Sequence, residues 1–252
     1  MSGPDEVVAA LRAAGCVYAE DEAALLLAAS GPLDELLARR IAGEPLEQVL
    51  GWAAFDGLRV RVRPGVFVPR RRSELLVRLA ADGLPPDAVV IDLCCGSGAL
   101  GAALRLRAPG VELHACDIDP VAVVCARSNL AGASVHRGDL WSALPDSLRG
   151  RVAVALANAP YVPTHGVALM PSEARDHEPR AALDGGSDGL DVHRRIAADA
   201  SAWLAPGGRL IIEVARSQVA AATAVFAEAG LAAEVHADDD LDATAVVGTA
   251  PV

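Results

Sequence analysis

The 252-residue chain contains no lysine; all 22 of its basic residues are arginine. Aromatic side chains are scarce as well, with Phe, Trp and Tyr together at 3%. Both shortages fit a GC-rich coding bias better than a function. Positive charge is in deficit: 33 acidic residues give a formal net charge of −11. Phosphate backbones repel such a chain, which argues against sequence-independent nucleic-acid binding, although a local basic patch can oppose the global sign. No apolar run approaches the ~20 residues needed to span a bilayer. The opening MSGPDEVVAALRAAG lacks the basic stretch before an apolar core that marks a secretory signal. The expectation is a cytoplasmic monomer with no membrane partner. The five cysteines, Cys16, Cys94, Cys95, Cys116 and Cys125, are odd in number and include no C-x-x-C pair. This argues against a disulfide framework and a zinc site, and no metal is expected. The cysteines read as small buried residues.

What is present is half apolar, 52% of residues. That suffices for one large α/β domain and a smaller one. Residues 1–52 carry helix-spaced apolar stretches, DEVVAALRAAG, EDEAALLLAAS and PLDELLARRIAG, and read as a small helical domain. Residues 53–74 read as a hairpin linker, with a turn at Asp56-Gly57 and Leu58, Val60 and Val62 alternating with Arg59, Arg61 and Arg63. Residues 75–252 alternate strands and helices as in a parallel sheet with crossover helices. The strands are AVVID, VELHACD, ASVHRGD, VAVALAN and GRLIIEVA. After a helix, AAEVHA and ATAVVGTA flank the acidic turn DDDLD, and they predict a C-terminal antiparallel hairpin.

Four successive strand ends carry polar residues: Asp92, Asp117, Asp139 and Asn158. In an open parallel sheet, ligands bind at those carboxyl ends near the switch point. In VVIDLCCGSGALGAAL, Gly96 and Gly98 allow a tight turn, and the next helix presents its N–H groups. A nicotinamide-type site or a plain structural turn uses similar glycines. Asp117 is spaced to accept both hydroxyls of a ribose, or is a solvated strand end. Asp119, before Pro120, fits a helix start. Asp139 and Leu140 suit the polar and apolar sides of an adenine, although Asp139 alone also fits a helix N-cap. In NAPY, Asn158 and Tyr161 flank Ala159 and Pro160.

The order DLCCGSGALG, CDIDP, GDLW, NAPYVP, HEPRAALDGGSDGLD and LAPGGRLIIEV resembles the protein-(glutamine-N5) methyltransferases, which modify peptide chain release factors. GEPLEQVLG and VFVPRRRSELLV also resemble that family's pre-catalytic segment, so the likeness covers about residues 20 to 235. The resemblance implies an α/β, Rossmann-like class I S-adenosylmethionine-dependent methyltransferase fold. That fold has a seven-stranded, mostly parallel sheet with a C-terminal antiparallel hairpin. It implies S-adenosylmethionine as cofactor and a protein glutamine as methyl acceptor, with a release factor as the candidate partner. Carried over by position, it implies that Cys94, Cys95, Gly96, Ser97, Gly98, Asp117, Asp139, Leu140 and Asn158 bind the cofactor. Asn158, Ala159, Pro160 and Tyr161 then bind the substrate, and Asn158 and Tyr161 serve catalysis.

The chain departs from the family pattern in four places. Cys94 replaces the first motif glycine and Cys95 follows it, and a cysteine that needs negative φ implies an altered loop. Ala159 replaces the first proline of NPPY. PRRRS, Pro69 to Ser73, replaces PRPET. The helical region before GEPLEQ is shorter, which separates the substrate question from the chemistry.

The residue types fit the chemistry independently of any likeness. An amide nitrogen is a poor nucleophile because its lone pair is delocalised. Holding it in line with a methyl donor, with the Asn158 carboxamide oxygen and the Ala159 carbonyl accepting its N–H groups, answers that. The Tyr161 ring suits a planar amide, and Asn158 and Tyr161 also read as turn and packing residues. Other readings are N-methylation of a small metabolite or a nucleic-acid base amino group, or a cofactor-binding module without catalysis. Arg59, Arg61, Arg63, Arg70, Arg71 and Arg72 form a basic cluster, either a solvated face or a surface for an acidic group.

Overall fold

The computed structural model describes residues 3–252. Four helices open the chain: α1 (Pro4–Ala13), α2 (Ala19–Leu27), α3 (Leu33–Ile41) and α4 (Leu46–Leu50). The first three match the periodic stretches; α4 is only five residues long, too short for a helical period to register. Val7, Leu11, Ala19, Ala23, Leu26 and Val49 form a core of their own. Pro4 enters α1 in the first turn, where its missing N–H is not needed.

Strands β1 (Trp52–Phe55) and β2 (Leu58–Arg61) pair antiparallel, Phe55 opposite Leu58. Asp56 (φ 46°) and Gly57 (φ 78°) both adopt the left-handed conformation of a type I′ turn, as an Asp-Gly pair favours. Val60 and Val62 are buried while Arg59, Arg61 and Arg63 are exposed. The alternation therefore sorts this hairpin into an apolar and an arginine face.

Helix α5 (Glu74–Ala81) leads into the main domain, followed by β3 (Val89–Leu93), α6 (Ala99–Arg107), β4 (Glu112–Asp117), α7 (Pro120–Asn129) and β5 (Ser134–Arg137). After β6 (Val152–Ala157) come α8 (Ser172–His177), α9 (Asp191–Trp203) and β7 (Leu204–Glu213). Helix α10 (Val219–Glu228) then precedes β8 (Ala232–Asp238) and β9 (Ala243–Thr249). The seven strands lie in the order β5-β4-β3-β6-β7-β9-β8. The first five pair in parallel, and β9 pairs antiparallel with both β7 and β8.

Both faces of the sheet are covered at its centre, which is why β3 and β6 read as nearly continuous apolar runs. Val89, Ile91 and Leu93 point to one face, packed with Trp141, Trp203 of α9 and Phe226 of α10. Val90 points to the other, packed with Leu76 of α5, Leu104 of α6 and Leu130 after α7. Trp141 and Trp203 stack with ring centres 5.6 Å apart. Strand order reverses between β3 and β6, so the carboxyl ends of β3, β4, β5 and β6 open onto one crevice. Among the described residues, no helix is long and apolar enough to cross a membrane.

Candidate active site

The crevice is an open cleft with a cavity volume of about 200 Å³. Cys94, Cys95, Gly96 and Ser97 line it from the loop between β3 and α6. Cys94 has φ 55°, and Gly96 and Gly98 have φ 53° and 78°. The expectation that cysteine would force negative φ is thus corrected: Cys94 takes the left-handed conformation of the glycine it replaces. The chain holds it there, because the Cys95 N–H donates to the Cys116 carbonyl of β4 at 3.0 Å.

Gly98 does not line the cleft. A Cβ there would lie 2.9 Å from Leu130 Cδ1, so its smallness serves the approach of α6 to α7 rather than ligand contact. Asp92 lies wholly buried behind the loop, its Oδ2 accepting the Gly101 N–H at 2.9 Å and its Oδ1 without a partner. Burial raises its pKa to about 7.

Asp117 closes β4 at the cleft wall. Its Oδ2 accepts the Gly96 N–H at 2.8 Å and its Oδ1 accepts the Asp119 N–H at 2.9 Å. Burial pushes this carboxyl up, and the N–H donors oppose the shift. Each oxygen keeps a further lone pair for a hydroxyl, so the carboxylate is preset for a vicinal diol. Asp119 caps α7 through the Val121 N–H at 2.7 Å, as Pro120 suggested. Ile118, between them, is 61% exposed and lines the cleft. An exposed apolar residue flanked by two aspartates was the signal that sequence reasoning passed over.

Asp139 and Leu140 stand on the same wall. Asp139 makes no helix cap; its Oδ2 accepts from Arg195 of α9 at 2.5 Å, leaving Oδ1 for a ligand amine. Leu140 is buried and, like Cys94, left-handed at φ 49°. Two strained non-glycine residues on one cleft wall fit the clustering of strain at ligand sites. A diol acceptor at Asp117, apolar side chains at Ile118 and Leu140 and an acceptor at Asp139 fit the chemistry of an adenosyl group.

Asn158 stands at the end of β6, where this cleft meets a second cavity; Phe67, Asn158 and Ala182 line both. Tyr161, Arg70, Arg72 and Glu173 of α8 line the second cavity, and Ala159 forms part of its floor. The Asn158 Nδ2–H donates to Ser73 Oγ at 2.9 Å. Ser73 Oγ donates to Glu213 Oε2 at 2.5 Å, and the Tyr161 hydroxyl donates to Glu213 Oε1 at 2.9 Å. Glu213 ends β7 and is buried; burial raises its pKa, opposed by the Ser73 and Tyr161 hydroxyls. Burial likewise raises the Tyr161 phenol. Ser73 and Glu213 escaped the sequence reading, although one acidic residue ending the apolar run RLIIEV was a visible signal.

The NAPY backbone is clamped from outside. Val162 N–H donates to the Leu183 carbonyl at 3.0 Å, and Gly185 N–H to the Val162 carbonyl at 2.8 Å. Gln218 Nε2 donates to the carbonyls of Tyr161 (2.8 Å) and Asp188 (2.9 Å). Gly189 is left-handed at φ 82°, and a Cβ there would lie 2.2 Å from the Tyr161 carbonyl oxygen. The LDGGSDG run is therefore the buttress of the motif.

The arginine cluster divides. Arg70 pairs with buried Glu178 at 2.7 Å, and Arg72 lies 3.5 Å from Glu213. These two face the second cavity, whereas Arg59 lies over the Trp52 ring at 3.7 Å on the hairpin. A single surface made of all six is corrected: Arg70 and Arg72 compensate buried carboxylates first.

Residues 57–172 match a family model described as the methyltransferase small domain. A solved methyltransferase from Pyrococcus furiosus has a TM-score of 0.59 over 78% of this chain and 90% of that one, at 14% identity, which is a likeness of fold. Fold and cleft together define a class I S-adenosylmethionine-dependent methyltransferase. The chain is 40% identical over 200 residues to the release factor glutamine methyltransferase of Streptomyces coelicolor, covering 77% of this chain and 71% of that one. It is 34% identical over 201 residues to the 4-amino-L-phenylalanine/4-methylamino-L-phenylalanine methyltransferase of Streptomyces pristinaespiralis, covering 76% and 68%. The chain belongs to the release factor glutamine methyltransferase family, and its activity is N-methyl transfer from S-adenosylmethionine.

Proposed function

We propose that this enzyme methylates the side-chain amide nitrogen of a glutamine in a release factor. The observation that carries this reading is the Asn158 carboxamide at the junction of the two cavities. With Nδ2 committed to Ser73, Oδ1 is the end left to accept an acceptor N–H. The Ala159 carbonyl accepts the second N–H, which alanine supplies as well as proline does. The Tyr161 ring, tethered through its hydroxyl to Glu213, covers the planar amide. These contacts orient the nitrogen lone pair and stabilise the positive charge that develops on it. When bound, S-adenosylmethionine supplies the methyl group, whose bond to sulfur breaks as the bond to nitrogen forms, the sulfur keeping the electron pair. The methylated nitrogen is then acidic enough to lose its proton to water, so no strong base is needed.

Cofactor binding is assigned to Cys94, Cys95, Gly96, Ser97, Asp117, Asp139, Leu140 and Asn158, with Ile118 added. Residues 1–52 form the helical domain, 53–74 the linker and 75–252 the catalytic domain. The protein acts as a cytoplasmic monomer without a nucleic-acid partner; the net charge of −11 supports the last point. A second reading, N-methylation of a small aromatic amine, is favoured by the name of the Streptomyces pristinaespiralis relative. Labelled methyl transfer to purified release factor and to 4-aminophenylalanine separates the two. Incorporation on a glutamine, located by mass spectrometry, supports the main reading; label on the free amine alone overturns it.

A further inference from the structure

We propose that Ser73 and Glu213 are positioning residues that fix which end of the Asn158 carboxamide faces the methyl acceptor. The inference rests on the reading above, in which Asn158 Oδ1 receives an acceptor N–H. It follows from donor counting along one chain of hydrogen bonds. An ionised carboxylate only accepts, so both the Tyr161 and the Ser73 hydroxyl hydrogens point at Glu213. Ser73 has one hydrogen, and at 2.5 Å from Glu213 Oε2 it is spent. Toward Asn158, 2.9 Å away, Ser73 Oγ can then only accept. Asn158 must therefore present Nδ2 to Ser73 and turn Oδ1 outward.

A lone asparagine has no such bias, because rotation by half a turn about its last bond exchanges oxygen for NH2 at little cost. An inverted amide would aim N–H at the acceptor N–H and repel it. Arg72, 3.5 Å from Glu213, and Arg70 nearby favour the charged carboxylate that sets the direction. His193 bonds the Glu213 main-chain oxygen from the opposite side at 3.1 Å. The residue at 73 was met in the sequence only as the last letter of PRRRS. Its hydroxyl is what that segment delivers to the site.

The test compares Ser73→Thr with Ser73→Val, which have nearly equal shape and differ in the hydroxyl. Purified enzymes are assayed for kcat and KM on release factor, for S-adenosylmethionine affinity by calorimetry, and for melting temperature. Ser73→Thr should keep kcat within about threefold, whereas Ser73→Val should lose about 10²-fold in kcat with cofactor affinity unchanged. Glu213→Gln no longer fixes the direction, because its amide can turn either oxygen or NH2 toward Ser73, so its kcat should fall. The double variant Ser73→Val/Glu213→Gln should be no worse than either single one. Equal kcat in Ser73→Thr and Ser73→Val overturns the proposal. So does full kcat in Glu213→Gln, which decides the matter if Ser73→Val does not fold. Asn158→Ala is the control: if it retains kcat, the reading of Asn158 is wrong and the relay falls with it. If Asn158→Ala is inactive while Glu213→Gln is fully active, the relay alone is wrong.

Discussion

Asn158 donates its carboxamide N–H to the hydroxyl of Ser73 at 2.9 Å, across 85 residues of sequence. The bond joins the segment entering α5 to the end of β6. It leaves one oxygen of Asn158 unclaimed at the place where two cavities touch.

Removing that carboxamide should remove catalysis without unfolding the protein. Asn158 is only partly buried and lies outside both apolar sheet cores. Asn158→Ala should lower kcat by about 10²–10³-fold, the usual loss for one preorganised polar contact to developing charge. Melting temperature should change by no more than a few degrees. Labelled-methyl incorporation and thermal unfolding check the two halves.

Two neighbouring aspartates, similar in the sequence, should behave differently. Asp117 orients the glycine loop and faces the cleft, so Asp117→Ala should weaken S-adenosylmethionine binding about 10–100-fold. Asp119 spends its side chain on the α7 cap. Asp119→Ala should cost about 1 kcal/mol of stability and leave cofactor affinity nearly unchanged. Calorimetric titration of both variants decides it; equal losses of affinity would contradict the division of labour.

The legible part of this site was local. Asp117 ends β4 and Asn158 directly follows β6, and the apolar run before each announces its strand, whereas Asp139 lies two residues beyond the short polar strand β5. Asp56-Gly57 announced its turn because few residues tolerate two left-handed positions in a row. The illegible part was tertiary. Glu213 meets Tyr161 across 52 residues and Ser73 across 140, and no local period carries such a pairing. Cys94 was misjudged because its own φ preference yields to the β3–α6 connection, tied to β4 through Cys95. Helix α4 and helix α8 were too short to show a repeat, and their positions follow from what they dock against.

Asp92 should make stability pH-dependent. It is fully buried with Oδ1 unpartnered, and its carboxyl rises from 3.8 to about 7, chiefly through burial. A carboxyl with a raised folded pKa contributes stability that is complete below the unfolded value. That contribution disappears as pH climbs through about 7. Asp92→Asn does not titrate. The melting temperature of the cofactor-free variant, relative to the parent protein, should therefore rise by about 5–10 °C between pH 5 and pH 8. A difference that is flat with pH would show that Asp92 carries no such penalty.

Arg40 links the N-terminal helices to Glu173, which lines the second cavity. It is 6% exposed, lies 2.6 Å from Glu22 of α2 and 2.7 Å from Glu173 of α8, and also donates to the Glu44 carbonyl at 3.2 Å. Truncating one partner of a buried ion pair leaves the other charges uncompensated, at a cost of about 3–5 kcal/mol. Glu173 lines the second cavity but not the cofactor cleft. Arg40→Ala should therefore lower the melting temperature and raise KM for the protein acceptor, while S-adenosylmethionine affinity stays within about twofold. Arg40→Met, which retains apolar bulk without the charge, should show the same KM defect. If KM is unchanged in both, Arg40 holds the helices in place without shaping the acceptor cavity.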